Sequence, residues 1–358
     1  MRNGRRNRVP PHEARAPWRN RRRNASAACP SPAFARRIEA MTLEADFAAI
    51  ARQQGPQAAA RMVEQRAGSG DAQAMLVLAQ WRLWGLHGPR LLAEGYRLAS
   101  AAAAAGMVEA HTLHAALLAT GTGTAADAGA ADAAWRAAAA IDPAVAATLA
   151  IATSLAAAPL NAPRVLSVDP WIAIVPGLAT EAAARHVIAR AEPRLQPSFV
   201  VDPASGQRRP HPVRTSLGTN FAPSEEDAVL HALHRRIADA TGTPIDAGEP
   251  LHVLAYAPGQ EYRPHLDTLP GVANQRAVTA IVYLNADFEG GATRFGKLGL
   301  DVAPEAGSAL LFRSLDAEGR ADPRTEHAGL AVTAGRKWIA TRWIRQRRCH
   351  PWEPETMR

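Results

Sequence analysis

The chain has few cysteines and no long hydrophobic run, and each shortage excludes a class of protein. Its 358 residues include two cysteines, Cys29 and Cys349, which stand near opposite ends and have no metal-binding spacing. This excludes a disulfide scaffold or a zinc ribbon and is typical of a protein of the reducing cytoplasm. The longest apolar stretch, residues 144–160, is mostly Ala and Thr with a proline near its end, so no membrane span is predicted.

Lysine is equally scarce, and the positive charge is unevenly distributed. Residues 1–40 hold eleven arginines and two glutamates, a net charge of +9, which leaves −1 for the rest of the chain. This segment has no hydrophobic periodicity, so we interpret it as a disordered basic tail. It is either an arm for nucleic acid or another anionic surface or, as we favour, sequence upstream of a translation start at Met41.

Residues 41–160 are rich in alanine and predict helical repeats. The sequence of residues 70–74 (GDAQA) recurs 36 positions later at residues 106–110 (GMVEA), and Gly85 maps onto Gly121 by the same shift. A third unit near residues 126–140 is degenerate. Units of this length indicate an α-solenoid, and the segment resembles Sel1-like, tetratricopeptide-type repeats. It serves either to dock a protein partner or substrate, or as a helical support packed on the next domain.

After Pro163 the sequence changes to short β-rich runs separated by turn residues. Many short strands with turns between them indicate a jelly roll or a barrel rather than a parallel sheet. Strands are predicted over residues 251–256, 277–284, 299–302, 308–312 and 337–344, and helices over residues 180–191 and 225–240.

A candidate metal site lies in this β-rich region. His265 and Asp267 form a His-x-Asp pair, and on a strand both side chains would point to the same face because side chains alternate. His327, from another strand, could complete the two-histidine, one-carboxylate triad that non-haem Fe(II) oxygenases use. The pair alone is a weak signal, because a solvated histidine beside an aspartate is common.

Lys337 adds a second feature to this site. It follows His327 by ten residues, inside a strand-like segment, and it is one of two lysines in the chain, with Lys297. A cation on a neighbouring strand could pair with the far carboxylate of 2-oxoglutarate, whose other end chelates iron. The alternative is a solvated strand lysine.

Residues 165–348 contain a series of ordered motifs: VRTS at residues 213–216, LHVLAY at 251–256, GQEY at 259–262, PHLD at 264–267, EGGAT at 289–293 and the segment 327–343. They make this part of the chain similar to the catalytic domain of the prolyl 4-hydroxylase α-subunit, a 2-oxoglutarate/Fe(II) dioxygenase. The resemblance implies a double-stranded β-helix, or jelly roll. The fold class is then α+β, with an N-terminal α-solenoid over residues 41–160, the oxygenase domain over residues 165–348 and a C-terminal tail over residues 349–358.

The same resemblance implies the catalytic residues. His265, Asp267 and His327 would bind Fe(II), and Lys337 would pair with the distal carboxylate of 2-oxoglutarate. The implied reaction uses O2 to hydroxylate an unactivated C–H bond and releases succinate and CO2. L-Ascorbate is the implied further cofactor, because it rescues oxidised iron.

Four more residues match positions around the pocket. Tyr256 and Thr293 match positions that hydrogen-bond the co-substrate carboxylate, Trp343 matches a co-substrate position and Arg276 a substrate position. The alternatives are strand core for Tyr256 and Trp343 and a turn hydroxyl for Thr293. Two further histidines, His231 and His234, lie one turn apart on a predicted helix, where we expect a surface or capping role.

These features favour a peptidyl-proline hydroxylase whose protein or peptide substrate is docked partly by the repeats, with no membrane or nucleic-acid partner. One alternative is the same chemistry on a small molecule or free amino acid. Another is dealkylation of nucleic acid, suggested by the spacing of Arg336 and Arg342, which lie on the opposite strand face from Lys337. A non-catalytic scaffold with a vestigial oxygenase domain and a cupin-like isomerase complete the set. Lys337 and the intact triad argue against these last two.

Overall fold

The computed structural model describes residues 42–201, 208–210 and 213–357. The predicted basic tail and Met41 lie outside these ranges. The helices within them are α1 (Thr42–Gln54), α2 (Pro56–Gly68), α3 (Ala72–Trp84), α4 (Leu92–Ala104), α5 (Val108–Thr120), α6 (Ala128–Ala139), α7 (Pro143–Ala157), α8 (Glu181–Ala191) and α9 (Ala228–Thr241).

Sixteen strands lie in the described part of the chain, and all of them come after helix α7. They are β1 (Arg164–Ser167), β2 (Ile172–Val175), β3 (Gln196–Pro197), β4 (Phe199–Val201), β5 (Arg208–Pro210), β6 (Leu217–Asn220), β7 (His252–Tyr256), β8 (Tyr262–His265), β9 (Arg276–Tyr283), β10 (Phe288–Gly290), β11 (Thr293–Phe295), β12 (Leu300–Val302), β13 (Ala309–Arg313), β14 (His327–Gly329), β15 (Val332–Gly335) and β16 (Lys337–Arg345).

The helical region repeats with the predicted period of 36 residues. Helices α3 and α5 are each 13 residues long and each is terminated by a left-handed glycine, Gly85 (φ 70°) and Gly121 (φ 66°). Glycine takes this conformation without the strain that a Cβ would cause. Helices α2, α4 and α6 start at residues 56, 92 and 128, the same distance apart. The segment near residues 126–140 is therefore the second helix of the α5 unit, rather than the separate third unit that the sequence suggested.

Two larger antiparallel sheets and two two-stranded sheets, β10-β15 and β4-β5, form the β-rich domain, which confirms the predicted jelly roll. The large sheet has the strand order β1-β2-β13-β9-β16-β7-β6-β3, and the small sheet has the order β12-β11-β14-β8. One face of the large sheet packs with helices α5 to α9 in a single apolar core. Side chains of its other face form a second core with residues of the small sheet, such as Phe295. The candidate site lies in this second layer.

Alternation along β16 decides which of its residues reach the site. Trp338 and Ala340 belong to the core on the helix side, whereas Ile339 belongs to the core between the sheets. Lys337 and Trp343 share the parity of Ile339 and line the same cavity. Alternate residues of this strand therefore pack against the helices or face the candidate site.

The helical region packs directly against the oxygenase domain. Helix α7 lies on α9, and the Trp135 ring on α6 lies 5.6 Å from the His231 ring on α9. Near the C terminus, the Trp352 ring meets Trp84 of α3 edge to face, with ring centres 5.0 Å apart. These contacts favour the interpretation of the repeats as a helical support. No described helix has the length and apolar character needed to cross a membrane.

Candidate active site

The three predicted metal ligands come together where the end of β8 lies beside the start of β14. His265 is the last residue of β8, and it pairs across the sheet with His327, the first residue of β14. One donor atom from each of His265, Asp267 and His327 lies within 4.8 Å of the other two. Asp267 lies beyond the end of β8, so the expected placement of both His265 and Asp267 on a strand is wrong. The chain bends after His265, and the carboxylate still turns back toward both imidazoles.

Backbone carbonyls fix the tautomers of both histidines. His265 Nδ1 lies 2.9 Å from the carbonyl of Arg263, and His327 Nδ1 lies 3.1 Å from the carbonyl of Thr325. Because a carbonyl oxygen only accepts, each Nδ1 donates its hydrogen and each Nε2 keeps a lone pair for a metal. Burial, with the neighbouring His327, lowers the pKa of His265 to about 4, so its ring is neutral at neutral pH.

Asp267 is held as an anion by its neighbours. Burial pushes the pKa of its carboxyl upward, but His327, His265 and a hydrogen bond from Thr279 together outweigh burial and leave that pKa below its usual value. The Thr279 hydroxyl donates to Asp267 Oδ2 at 2.6 Å. Two imidazole nitrogens and one ionised carboxylate are a donor set that suits Fe(II) and leaves coordination positions open.

Lys337 lies on the large sheet, facing the small sheet, and is 3% exposed. Its Nζ donates to the carbonyl of Gly291 at 2.6 Å, and no carboxylate among the described residues forms an ion pair with it. Burial lowers the pKa of its ammonium group to about 8. A buried ammonium without an anion is costly, so this position fits a ligand that brings its own carboxylate.

Tyr256 and Thr293 lie near Lys337. Tyr256 pairs with Lys337 across strands β7 and β16, and its ring centre lies 5.6 Å from Lys337 Nζ. The Thr293 hydroxyl lies 2.9 Å from the hydroxyl of Tyr283, whose own ring centre is 5.7 Å from Lys337 Nζ. Tyr283 is absent from the residues predicted by sequence. Tyr283 and Thr279 lie an even number of positions apart along β9, and this spacing is the signal that places both side chains on the same face of the sheet.

The candidate metal ligands and Lys337 line a single cavity of about 30 Å³. It is lined by the three metal-donor residues, by Lys337 and Thr293, and by apolar walls that include Leu254, Ile281 and Trp343. The apolar walls limit water around the charged groups, which strengthens electrostatic interactions inside.

Arg276 lies behind the metal-donor cluster. Its Nε and Nη2 donate to the two carboxylate oxygens of Glu249, each at 2.8 Å, and its Nη1 donates to the backbone carbonyl of Asp267 at 3.3 Å. Its guanidinium also stacks over Trp343, 3.9 Å from the ring centre. The sequence did not single out Glu249, because its role depends on two arginines, Arg276 and Arg345, that are distant from it in the sequence.

The expected surface or capping role of His231 and His234 is wrong. Both are buried, at 3% and 2% exposure, and their Nδ1 atoms lie 3.9 and 3.3 Å from the carboxylate of buried Glu226. The helical repeats cover this face of α9, which the pattern of a single helix does not reveal. Arg342 is likewise buried, and it donates to backbone carbonyls that include those of His234 and Glu249.

Comparisons with known proteins agree with the site. The model of the 2OG-Fe(II) oxygenase superfamily matches residues 251–345. Prolyl 4-hydroxylase 1 of Arabidopsis thaliana is 37% identical over 204 residues, which are 52% of this chain and 72% of that protein.

Two solved structures are similar to separate parts of the chain. The viral collagen prolyl hydroxylase from Paramecium Bursaria Chlorella virus-1, in its 2-oxoglutarate complex, is 27% identical with a TM-score of 0.40, and the match covers 49% of this chain and 95% of that one. A Sel1 repeat protein from Oxalobacter formigenes is 19% identical with a TM-score of 0.28, and the match covers 32% of this chain and 93% of that one.

Proposed function

The chain belongs to the prolyl 4-hydroxylase family of 2-oxoglutarate/Fe(II) oxygenases, and we propose that it hydroxylates prolyl residues of a protein or peptide. It is a 2-oxoglutarate-dependent dioxygenase that uses Fe(II), 2-oxoglutarate and O2. The observation that carries the proposal is the shared cavity, in which the donor atoms of His265, Asp267 and His327 converge and a buried Lys337 has no anionic partner among the described residues.

Each part of the cavity has a separate task in this proposal. His265 Nε2, His327 Nε2 and the Asp267 carboxylate would hold Fe(II), and Thr279 keeps the carboxylate in place. Bound iron supplies the oxidation, in which O2 and 2-oxoglutarate yield a hydroxylated product, succinate and CO2. Lys337 would bind the far carboxylate of 2-oxoglutarate through a charge-assisted hydrogen bond.

The surrounding side chains would orient the co-substrate and the substrate. Tyr256 and Thr293 line the same cavity as Lys337, and Trp343 forms the cavity wall that lies over Arg276. Arg276 already bonds Glu249 and Asp267, but its guanidinium has N–H groups beyond those three contacts for a substrate carbonyl. L-Ascorbate is the proposed reductant that restores the iron. Besides supporting the oxygenase domain, the helical repeats are the proposed docking element for a protein substrate in the cytoplasm.

The proposal is tested with a panel of proline-containing peptides. Purified protein is incubated with Fe(II), 2-oxoglutarate, ascorbate and O2, and the peptides are analysed by mass spectrometry. We expect one added oxygen on a prolyl residue, absent when that proline is replaced by alanine and absent with the His265→Ala enzyme. Succinate formation that depends on His265 and is stimulated by free amino acids or small molecules, with no oxygen added to any peptide, would contradict the prolyl substrate.

A further inference from the structure

The C-terminal segment, residues 349–357, connects the helical repeats with the loop that follows Asp267. That loop, residues 268–275, is named here the ligand loop because it begins directly after a predicted metal ligand. It contains turns and bends and no helix or strand. Loops of this kind are held in place by specific contacts rather than by regular secondary structure.

On the repeat side, Trp352 is inserted into the helical core. Its side chain is 3% exposed and belongs to the apolar cluster that contains Trp84 and Leu117. The Arg90 guanidinium covers the Trp352 ring at 5.6 Å. A buried tryptophan contributes a large apolar area, so this contact anchors the segment firmly.

A hydrogen bond joins the same segment to the turn after α5. His350 Nε2 lies 2.8 Å from the hydroxyl of Thr122, and Thr122 is fully buried. His350 Nδ1 accepts from the backbone N–H of Trp352 at 3.3 Å. The hydrogen of the neutral ring is therefore on Nε2, which donates to Thr122.

On the catalytic side, Asn274 binds the segment from the ligand loop. Its side chain is 1% exposed, and its Nδ2 donates to the carbonyl of Thr356 at 2.7 Å and to that of Arg348 at 3.2 Å. Its Oδ1 accepts from the backbone N–H of Arg347 at 3.0 Å. The Thr356 hydroxyl accepts in turn from the backbone N–H of His350 at 2.7 Å, which closes the connection to the repeats.

Arg345 reinforces the same junction. Its Nη1 donates to the carbonyls of Asn274 and Met357, at 2.7 and 2.9 Å. Its Nε donates to Glu249, which also binds Arg276, and Arg276 donates to the carbonyl of Asp267. The ligand loop is thus fixed at its end by Asn274 and at its start by Asp267.

We propose that Asn274 is a positioning residue that ties the ligand loop, and with it Asp267, to the helical repeats through the C-terminal segment. The repeats then contribute to metal affinity and to the order of the loop beside the cavity. This goes beyond the proposed function, because metal binding and loop order do not depend on which substrate is hydroxylated. Small displacements near reacting groups have large effects on rate, so such a connection matters for turnover.

The catalytic side is tested with Asn274→Ala and Asn274→Asp. Asp keeps an acceptor for the backbone N–H of Arg347 but loses the three hydrogen bonds that Asn274 Nδ2 donates, so both variants should loosen the ligand loop. We expect faster amide hydrogen exchange across residues 268–275 and severalfold weaker Mn(II) binding, measured by calorimetry on the full chain. We also expect a higher KM for Fe(II) with a smaller change in kcat. Unchanged exchange in the ligand loop together with unchanged Mn(II) affinity would overturn the proposal.

The repeat side is tested with Thr122→Val and Trp352→Phe, which weaken the anchor without emptying the core. The matched control is Val63→Ala, which shortens a fully buried side chain in a different repeat cluster. We expect the first two variants to increase exchange in the ligand loop and the control to leave it unchanged. Equal effects of all three, or no effect of the first two, would show that the repeats act only through overall stability and would refute the connection.

Discussion

The chemistry of Lys337 depends strongly on its surroundings. Burial lowers the pKa of its ammonium group to about 8 in the absence of an anion. A bound carboxylate favours the charged form and raises this pKa again, so 2-oxoglutarate binding takes up a proton above pH 8. We therefore expect full 2-oxoglutarate affinity below about pH 8 and a loss approaching tenfold per pH unit above it.

This dependence can be measured by titration calorimetry with Mn(II) in place of Fe(II). The Lys337→Met variant is the control, since it should bind 2-oxoglutarate more weakly by roughly 2–4 kcal/mol and show no such dependence on pH. A decline in affinity with pH that is equally steep in Lys337→Met would mean that another group titrates.

Residue-level prediction from sequence works where a motif carries the chemistry. His265, Asp267, His327 and Lys337 could be singled out by residue type and spacing, and the structure brings all four to one cavity. Supporting residues such as Glu249 could not be singled out, because their partners are distant in the sequence. The role of such a buried carboxylate can be recognised only once the structure shows which arginines contact it.

At the scale of elements, the turn between β10 and β11 controls the position of Lys337. Gly291 has a φ of 65°, and its carbonyl accepts from Lys337 Nζ. A Cβ at Gly291 would lie 3.0 Å from the Phe288 ring and 3.1 Å from Lys337 Cδ. We therefore expect Gly291→Ala to displace Lys337 and to raise the Kd for 2-oxoglutarate by about tenfold or more.

Gly299→Ala is the matched control for this turn. Gly299 has a φ of 62°, so it shares the backbone strain, but a Cβ there would meet no atom within 4 Å. The Kd of the Gly299→Ala variant for 2-oxoglutarate should match that of the wild type, although both glycine variants lose some stability. An equal rise in Kd for both variants would attribute the effect to backbone strain alone.

The strands were predictable from the sequence to different degrees. The five predicted strands correspond to β7, β9, β12, β13 and β16 within one residue at each end, because each is an apolar run between turn residues. Most of the remaining short strands, β1 and β2 among them, were not predicted. Strand β1 is a four-residue edge strand with two exposed positions, which leaves little hydrophobic pattern to detect.

At the scale of the whole molecule, the two regions share one core. Leu118 and Trp135 of the repeats belong to the same apolar cluster as Val253 and Ala340 of the large sheet. The sequence separates the regions by periodicity, but their packing depends on side chains that meet only in the folded chain. For this reason the choice between docking surface and support could not be made from sequence.

This shared core predicts a single cooperative unfolding transition. Trp135→Ala removes a side chain that is 2% exposed and contacts both regions, and such truncations cost about 3–5 kcal/mol. Scanning calorimetry should show one transition in wild type and variant, shifted to lower temperature in the variant. Two transitions, of which only one shifts, would mean that the repeats and the oxygenase domain unfold independently.

The most direct test of the active site is succinate formation from 2-oxoglutarate, followed with and without Fe(II) and O2. The enzymes compared are the wild type, His265→Ala and the control His111→Ala, which removes a histidine from the repeat region. We predict succinate that requires both Fe(II) and O2 in the wild type and the control, and none with His265→Ala. Succinate formed equally by His265→Ala would contradict the assignment of this cavity as the iron site.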